Sequence, residues 1–63
     1  MEARRISENS IPVAVRAEIS ARNATPISEV QVGADGVAWH SIIHRGRKQQ
    51  IALIGGRFET RLA

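Results

Sequence analysis

Apolar and polar residues alternate with a period of two over most of the second half of the chain. The segment SEVQV (28–32) alternates, GADG (33–36) interrupts it, and VAWHSIIHR (37–45) resumes it. After GRK, the segment QQIALI (49–54) alternates again, and a Gly-Gly pair separates it from RFETRL (57–62). Short alternating segments separated by glycine-containing turns are typical of antiparallel strands. The pattern predicts an antiparallel β-meander.

The segment 11–23 fits two kinds of element. Its odd positions from Ile11 to Ile19 are apolar and its even positions are mostly polar, as in a half-buried strand. Ile11, Val15 and Ile19 are also spaced by four, as on one face of a helix that Ser10 and Pro12 would begin. Both interpretations stay open on this evidence.

Composition favours β structure over the whole chain. Eight isoleucines and five valines stand against two leucines, and β-branched side chains pack well on pleated surfaces. We predict a mainly β fold in one domain, residues 10–63: a small antiparallel meander of four to five short strands, barrel-like or half-open, after a flexible arm at 1–9. The alternative is an α+β fold with one helix near 12–23. The predicted core is Val13, Val15, Ile19, Val30, Val32, Val37, Trp39, Ile43, Ile51, Leu53 and Phe58, with Leu62 as a possible addition.

The small size of the chain predicts self-association. A domain of 63 residues buries barely enough apolar surface to offset the conformational entropy lost on folding. The chain has no cysteine, so disulfides cannot compensate. We therefore expect a homodimer or a larger homo-oligomer. Neither a signal peptide nor an apolar run of membrane-spanning length is seen, so we expect a cytoplasmic protein without a membrane partner.

Positive charge is concentrated in the C-terminal part of the chain. Residues 37–63 contain five basic residues and one acidic residue, whereas residues 1–36 contain four basic and five acidic ones. Eight of the nine basic residues are arginine, whose guanidinium forms paired hydrogen bonds with phosphate groups. This asymmetry indicates an anionic partner, and we expect nucleic acid, DNA rather than RNA.

The densest group of positive charge is HRGRK (44–48), which the meander places in a hairpin loop. Gly46 lets the backbone approach a ligand closely, and arginines on a hairpin tip can contact phosphates. With two aromatic residues in the chain, base stacking is a weaker option than backbone contact. The predicted nucleic-acid-binding residues are His44, Arg45, Arg47, Lys48, Arg57 and Arg61, and Arg4 and Arg5 of the arm are possible additional contacts.

A second function competes with this one. The same loop also fits a solvated hairpin tip that keeps a sheet edge soluble. The chain would then be a non-enzymatic protein-interaction or structural assembly module, of phage or plasmid type, that binds partners through exposed strand edges. Arginines gathered on one face would favour nucleic acid, and arginines paired with glutamates would favour the protein partner.

One stretch resembles a known family. IIHRGRK (42–48) is similar to the segment that follows the recognition helix in Cro repressors of lambdoid phages. The resemblance implies that residues 37–44 end a recognition helix, that Gly33 lies in the turn of a helix-turn-helix, and that residues 50–62 form a β-hairpin. It also implies that Arg47 and Lys48 contact operator DNA.

Metal and catalytic chemistry find little support in the sequence. His40 and His44 are four residues apart, which on a strand separates them by about 13 Å, too far for one metal ion. Ser41 alternates with both histidines and would point to the opposite face, away from any base. Carboxylates are few and scattered, without a pair for acid–base catalysis. We therefore expect no metal site, no cofactor and no enzymatic activity.

Overall fold

The computed structural model describes residues 2–5 and 11–63, with side chains for residues 11–63. These residues form five strands and one helix, in the order of the chain. The elements are β1 (Glu2–Arg5), α1 (Val13–Ala21), β2 (Thr25–Val32), β3 (Ala38–His44), β4 (Arg47–Ile54) and β5 (Arg57–Leu62).

The strands form one antiparallel sheet in the order β1-β2-β3-β4-β5, so each strand pairs with its neighbours in sequence. The predicted meander is confirmed, together with the single helix of the α+β alternative. Among the described residues β1 and β5 are the two edges, which makes the sheet open rather than barrel-like.

The helix settles the ambiguity of the segment 11–23. Val15 and Ile19 are buried and Val13 is 76% exposed, as one helical face requires and an alternating strand does not. Pro12 is the residue before the first helical turn, and Ser10 lies outside the described residues. The period-two interpretation of this segment is therefore wrong.

The end of α1 explains why β2 can begin so soon after it. Asn23 adopts a φ of 58°, in the left-handed region. The amide of Asn23 donates to the Ser20 carbonyl at 3.0 Å, and the amide of Ala24 donates to the Ile19 carbonyl at 3.0 Å. This pair of bonds is a Schellman motif, which satisfies the last carbonyls of a helix and reverses the chain.

The core lies between α1 and one face of the sheet. Its buried cluster consists of Ile11, Val15, Ile19, Ile42 and Ile51, with Ala24 and Phe58 packed against it. Four predicted core residues are buried, namely Val15, Ile19, Val30 and Ile51.

Other parts of the predicted core are wrong. Leu53 is 43% exposed and Leu62 is 73% exposed. Ile42 rather than Ile43 enters the cluster, since two adjacent isoleucines on a strand point to opposite faces and the sequence does not indicate which face meets the helix. Val32, Val37, Trp39, Ile43 and Phe58 are half-buried.

A bulge interrupts β2. Pro26 pairs with Ile42 and Val30 pairs with His40, so three residues of β2 lie opposite Ser41 alone. Ser28, inside this bulge, has a φ of 52°. Bulges bend a strand and redirect its side chains, and here the bulge carries Glu29 toward β3 and β4.

Two expectations concern the N-terminal and central parts of the chain. Within the predicted arm at 1–9, residues Glu2–Arg5 pair with β2 as an edge strand, and the rest of the arm lies outside the described residues. The resemblance to Cro repressors is wrong for residues 37–44, which contain strand β3 and no recognition helix. Gly33 lies in the β2–β3 turn, where its carbonyl accepts from the Gly36 amide at 2.9 Å.

The one helix in the described part of the chain has nine residues. It lacks the length and apolar character that a membrane span requires.

Candidate functional site

The sheet has two chemically different faces. Ile42 and Ile51 belong to the helix-covered face. The other side, which we call the open face, receives the alternate side chains and has no described helix on it. Its central residues, by strand register, are Glu29, Gln31, Trp39, Ser41, Lys48, Gln50 and Arg61.

Three exposed cations lie close together in the turn between β3 and β4, which we call the basic turn (Arg45–Lys48). Arg45 and Gly46 have φ values of 54° and 76°, and His44 pairs with Arg47. Two consecutive left-handed residues define the type I′ hairpin turn, whose twist matches that of the strands. The turn thus holds Arg45 at the tip and Arg47 on the first strand residue after it.

Arg45 and Arg47 are exposed and free of ion pairs with the carboxylates of residues 11–63. An unpaired guanidinium at a rigid turn keeps all its donors available to an anionic ligand. Arginine in the left-handed region is also conformationally costly, by about 1 kcal/mol or more. Such strain is more common at functional positions than elsewhere.

Lys48 differs from these two arginines because it has a carboxylate partner. Its Nζ lies 3.3 Å from Oε1 of Glu29, and the hydroxyl of Ser41 donates to that same oxygen at 3.3 Å. The bulge of β2 is what brings Glu29 opposite Ser41. Glu29 therefore reduces the positive potential at one side of the basic turn.

A polar network continues across the open face from β2 to β5. The amide of Gln50 donates to Oε1 of Gln31 at 2.7 Å, and Nε of Arg61 donates to Oε1 of Gln50 at 2.8 Å. The guanidinium carbon of Arg61 lies 4.0 Å from the centre of the Trp39 ring. Ser41 and Gln50 are only 2% and 6% exposed, so this network is a packed layer rather than a loose surface.

The register brings Arg61 toward the basic turn and keeps Arg57 away from it. Arg61 pairs with Gln50, two residues beyond Lys48, whereas Arg57 pairs with Ile54 at the opposite end of β4. Arg57 and Arg61 are four residues apart on one strand, about 13 Å. Of the predicted binding residues, Arg57 therefore stands apart from the basic turn and from Arg61.

The two histidines lie on the helix-covered face of β3. His44, beside the turn, is half-buried, and His40 is 6% exposed. The Nδ1 atom of His40 has no hydrogen-bond partner among the described residues, and burial lowers the pKa of His40. The two residues are four apart on one strand, which separates them by about 13 Å. This distance is too long for both rings to bind one metal ion.

Trp39 and both glutamines of the network are absent from the predicted binding residues. Trp39 was predicted to belong to the core, and it is half-buried on the open face. The signal available was the alternation itself, because Trp39 and Ser41 share a face and Ser41 is polar. Choosing that face as polar requires knowing that Ile42 meets the helix.

Comparison with protein-family models, with curated proteins and with solved structures finds no match to this chain.

Proposed function

We propose that the chain is a small, non-enzymatic, cytoplasmic module that binds nucleic acid by contacting phosphates with its basic turn. The observation that supports this most is the pair Arg45 and Arg47, exposed and without a described carboxylate partner on a type I′ turn. Backbone phosphates are the ligands that such arginines contact most in nucleic-acid complexes. Lys48 and Arg61 extend the positive surface onto the open face.

The same geometry favours duplex DNA over unpaired strands. Proteins that bind single strands stack successive bases on several aromatic side chains. The open face offers Trp39 alone, half-buried and already covered by Arg61 on one side. Contact with the phosphate backbone, which needs cations and no aromatic platform, is the mode that this surface supports.

The test is a salt titration of binding to labelled duplex DNA, with single-stranded DNA and structured RNA as competitors. Arg47 and Arg57 form a matched pair, since each is exposed and each is the first strand residue after a two-residue turn. Removing one phosphate contact lowers the slope of log affinity against log salt by about 0.9. We expect that change for Arg47→Ala and no change for Arg57→Ala.

Two results would contradict the proposal. One is the absence of binding to any of the three polymers at low salt. The other is an equal loss of affinity for Arg47→Ala and Arg57→Ala, which would indicate attraction by net charge without a site.

The competing function, association through a strand edge, also has an observation in its favour. Strand β5 has no described neighbour on its outer side, and Leu62 on that strand is 73% exposed.

A further inference from the structure

We infer that β5 is a self-complementary edge, which pairs antiparallel with β5 of a second copy about a two-fold axis at Thr60. Pairing of the two copies needs no nucleic acid, although Arg61 belongs both to this edge and to the surface proposed to contact phosphates. It depends on three features of β5: the direction of its backbone groups, its charges, and its exposed leucine.

The turn between β4 and β5 determines which backbone groups of β5 point outward. Gly55 and Gly56 have φ values of 58° and 79°, and the turn closes on the pair Ile54 and Arg57. A two-residue turn closes on a hydrogen-bonded pair, and such pairs alternate with non-bonded ones along an antiparallel ladder. The backbone N–H and C=O groups of Phe58, Thr60 and Leu62 therefore point away from β4.

Only a few registers let two such edges pair symmetrically, because an outward-pointing residue must meet another one. With Thr60 opposite Thr60, each Phe58 faces Leu62 of the second copy and each Glu59 faces Arg61. Glu59 of each copy then lies directly opposite Arg61 of the other, and opposite charges at directly opposed positions stabilise a sheet. In the single chain the Arg61 guanidinium lies over Trp39 instead.

The two neighbouring registers place like charges opposite each other. Shifting the axis to residue 59 places Glu59 against Glu59 and Arg57 against Arg61. Shifting it to residue 61 places Arg61 against Arg61 and Thr60 against Leu62. Like charges directly opposite each other destabilise a sheet, so the charge pattern selects the register centred on Thr60.

The same register explains the exposed leucines. Phe58 pairs with Leu53 on β4, and Phe58 packs against the core while Leu53 is 43% exposed. Leu62 of the second copy would lie directly beside Phe58 on this face. An apolar strip would then run from Leu53 through Phe58 to Leu62 of the second copy. The two-fold axis generates an equivalent strip on the other half of the interface. Self-association would thus cover an apolar surface that the single chain leaves in water.

Complementary charge variants test the register. In Glu59→Lys and in Arg61→Glu, both cross-interface pairs become like-charged, and we expect the dimer Kd to rise about tenfold or more for each variant. In a mixture of the two variants, both pairs are again of opposite charge, so the heterodimer should form with nearly the native Kd. Sedimentation over a range of concentrations measures all three, without nucleic acid, after circular dichroism has shown that each variant is folded.

A cross-link gives a second and independent test. Hydrogen-bonded partners in an antiparallel pair have Cα atoms about 5.5 Å apart, within the range that a disulfide spans. The chain has no native cysteine, so Thr60→Cys carries one thiol. We expect Thr60→Cys to form a disulfide-linked dimer under mild oxidation and Arg57→Cys, far from its own copy in this register, to form none.

Three results would overturn the inference. The first is a native chain that stays monomeric up to millimolar concentration, in which case the edge serves a different partner or none. The second is a dimer that both charge variants leave intact. The third is a mixture of those variants that fails to associate while Thr60→Cys and Arg57→Cys cross-link equally.

Discussion

The guanidinium of Arg61 lies over the ring of Trp39, 4.0 Å from its centre, while its Nε donates to Gln50. A cation above a tryptophan ring contributes about 0.5–1 kcal/mol at an exposed site and more when partly desolvated. The contact ties the edge strand β5 to the central strand β3 across β4. Arg61 thus stabilises the sheet in addition to its proposed contact with phosphate.

Removing this contact should weaken the sheet and change the signal of the one tryptophan. We expect Arg61→Ala to lower the free energy of unfolding by about 1 kcal/mol and to shift Trp39 emission toward longer wavelength, because the ring becomes more hydrated. Urea denaturation of dilute protein, followed by fluorescence and circular dichroism, measures both. Arg57→Ala removes the same charge from the same strand and should change neither quantity. Equal effects of the two variants would contradict the stacking argument.

Because this segment is a helix, substitution of two of its valines should affect stability very differently. Val15 is 3% exposed and Val13 is 76% exposed, although both lie at odd positions of the alternating pattern. Val15→Ala should cost about 2 kcal/mol, from lost burial and the cavity that remains. Val13→Ala should change stability by less than about 0.5 kcal/mol, since alanine also has the better helix propensity. Similar losses from both substitutions would indicate a strand in this segment, and thermal denaturation of the two variants decides.

Arg45 should show opposite effects on stability and on binding. Asparagine tolerates the left-handed region better than arginine, and Asn-Gly is the preferred pair for a type I′ turn. We expect Arg45→Asn to raise the free energy of unfolding by about 0.5–1 kcal/mol and to weaken duplex DNA binding through the lost cation. Chemical denaturation and the salt titration measure the two effects. A variant that is more stable and binds equally well would exclude Arg45 from the site.

Glu29 should lower the affinity for duplex DNA, because it pairs with Lys48. We expect Glu29→Gln to raise the affinity for duplex DNA by a few fold at low salt, with the gain shrinking as salt screens the charges. Glu18→Gln is the matched control, since Glu18 also pairs with a cation, Arg22, but on the helix. An equal gain for both variants would show that only net charge matters.

The burial of His40 gives stability a pH dependence of known sign. Burial lowers the pKa of His40 below its ordinary value of 6.5, so the folded chain takes up this proton less readily than the unfolded chain. Well above pH 6.5 both states are neutral at this residue, and the effect is absent. As the pH falls below 6.5 the unfolded state gains the proton first, and stability decreases.

Urea denaturation at pH 7.5 and pH 5 tests this sign. We expect the native chain to lose stability between these values, and we expect His40→Gln to lose less. His44→Gln, at a half-buried position on the same strand, should behave like the native chain. A native chain with equal stability at both values would contradict the role given to His40.

The sequence predicted where the later strands lie, but it did not predict which face of each strand is buried. Alternation and glycine turns located the later strands because each strand ends at a turn that its residues favour, such as Gly55–Gly56. The same alternation suggested a strand at 11–19, where spacing by four and spacing by two select the same isoleucines. Asn23, which ends the helix in the left-handed region, and Pro26 after it are signals of a helix end, and they distinguish the helix where the spacing does not.

The candidate site was predicted in part. The exposed arginines of the basic turn follow from a polar break between two apolar runs, which a sequence displays directly. The pairing of Lys48 with Glu29 does not, because it depends on a bulge that shifts the register of β2. The distance of Arg57 from the basic turn depends on the length of β4. The stacking of Arg61 on Trp39 depends on which face of the sheet meets the helix.

The order of the strands has a consequence for how quickly the chain folds. Each strand of the sheet lies beside its neighbour in sequence, and two of the connections, at 45–46 and 55–56, are only two residues long. Short loops cost little entropy to close, and single hairpins form in about 1–10 μs. We expect β3, β4 and β5 to assemble hairpin by hairpin. The docking of α1 onto Ile42 and Ile51 should then stabilise the assembled sheet.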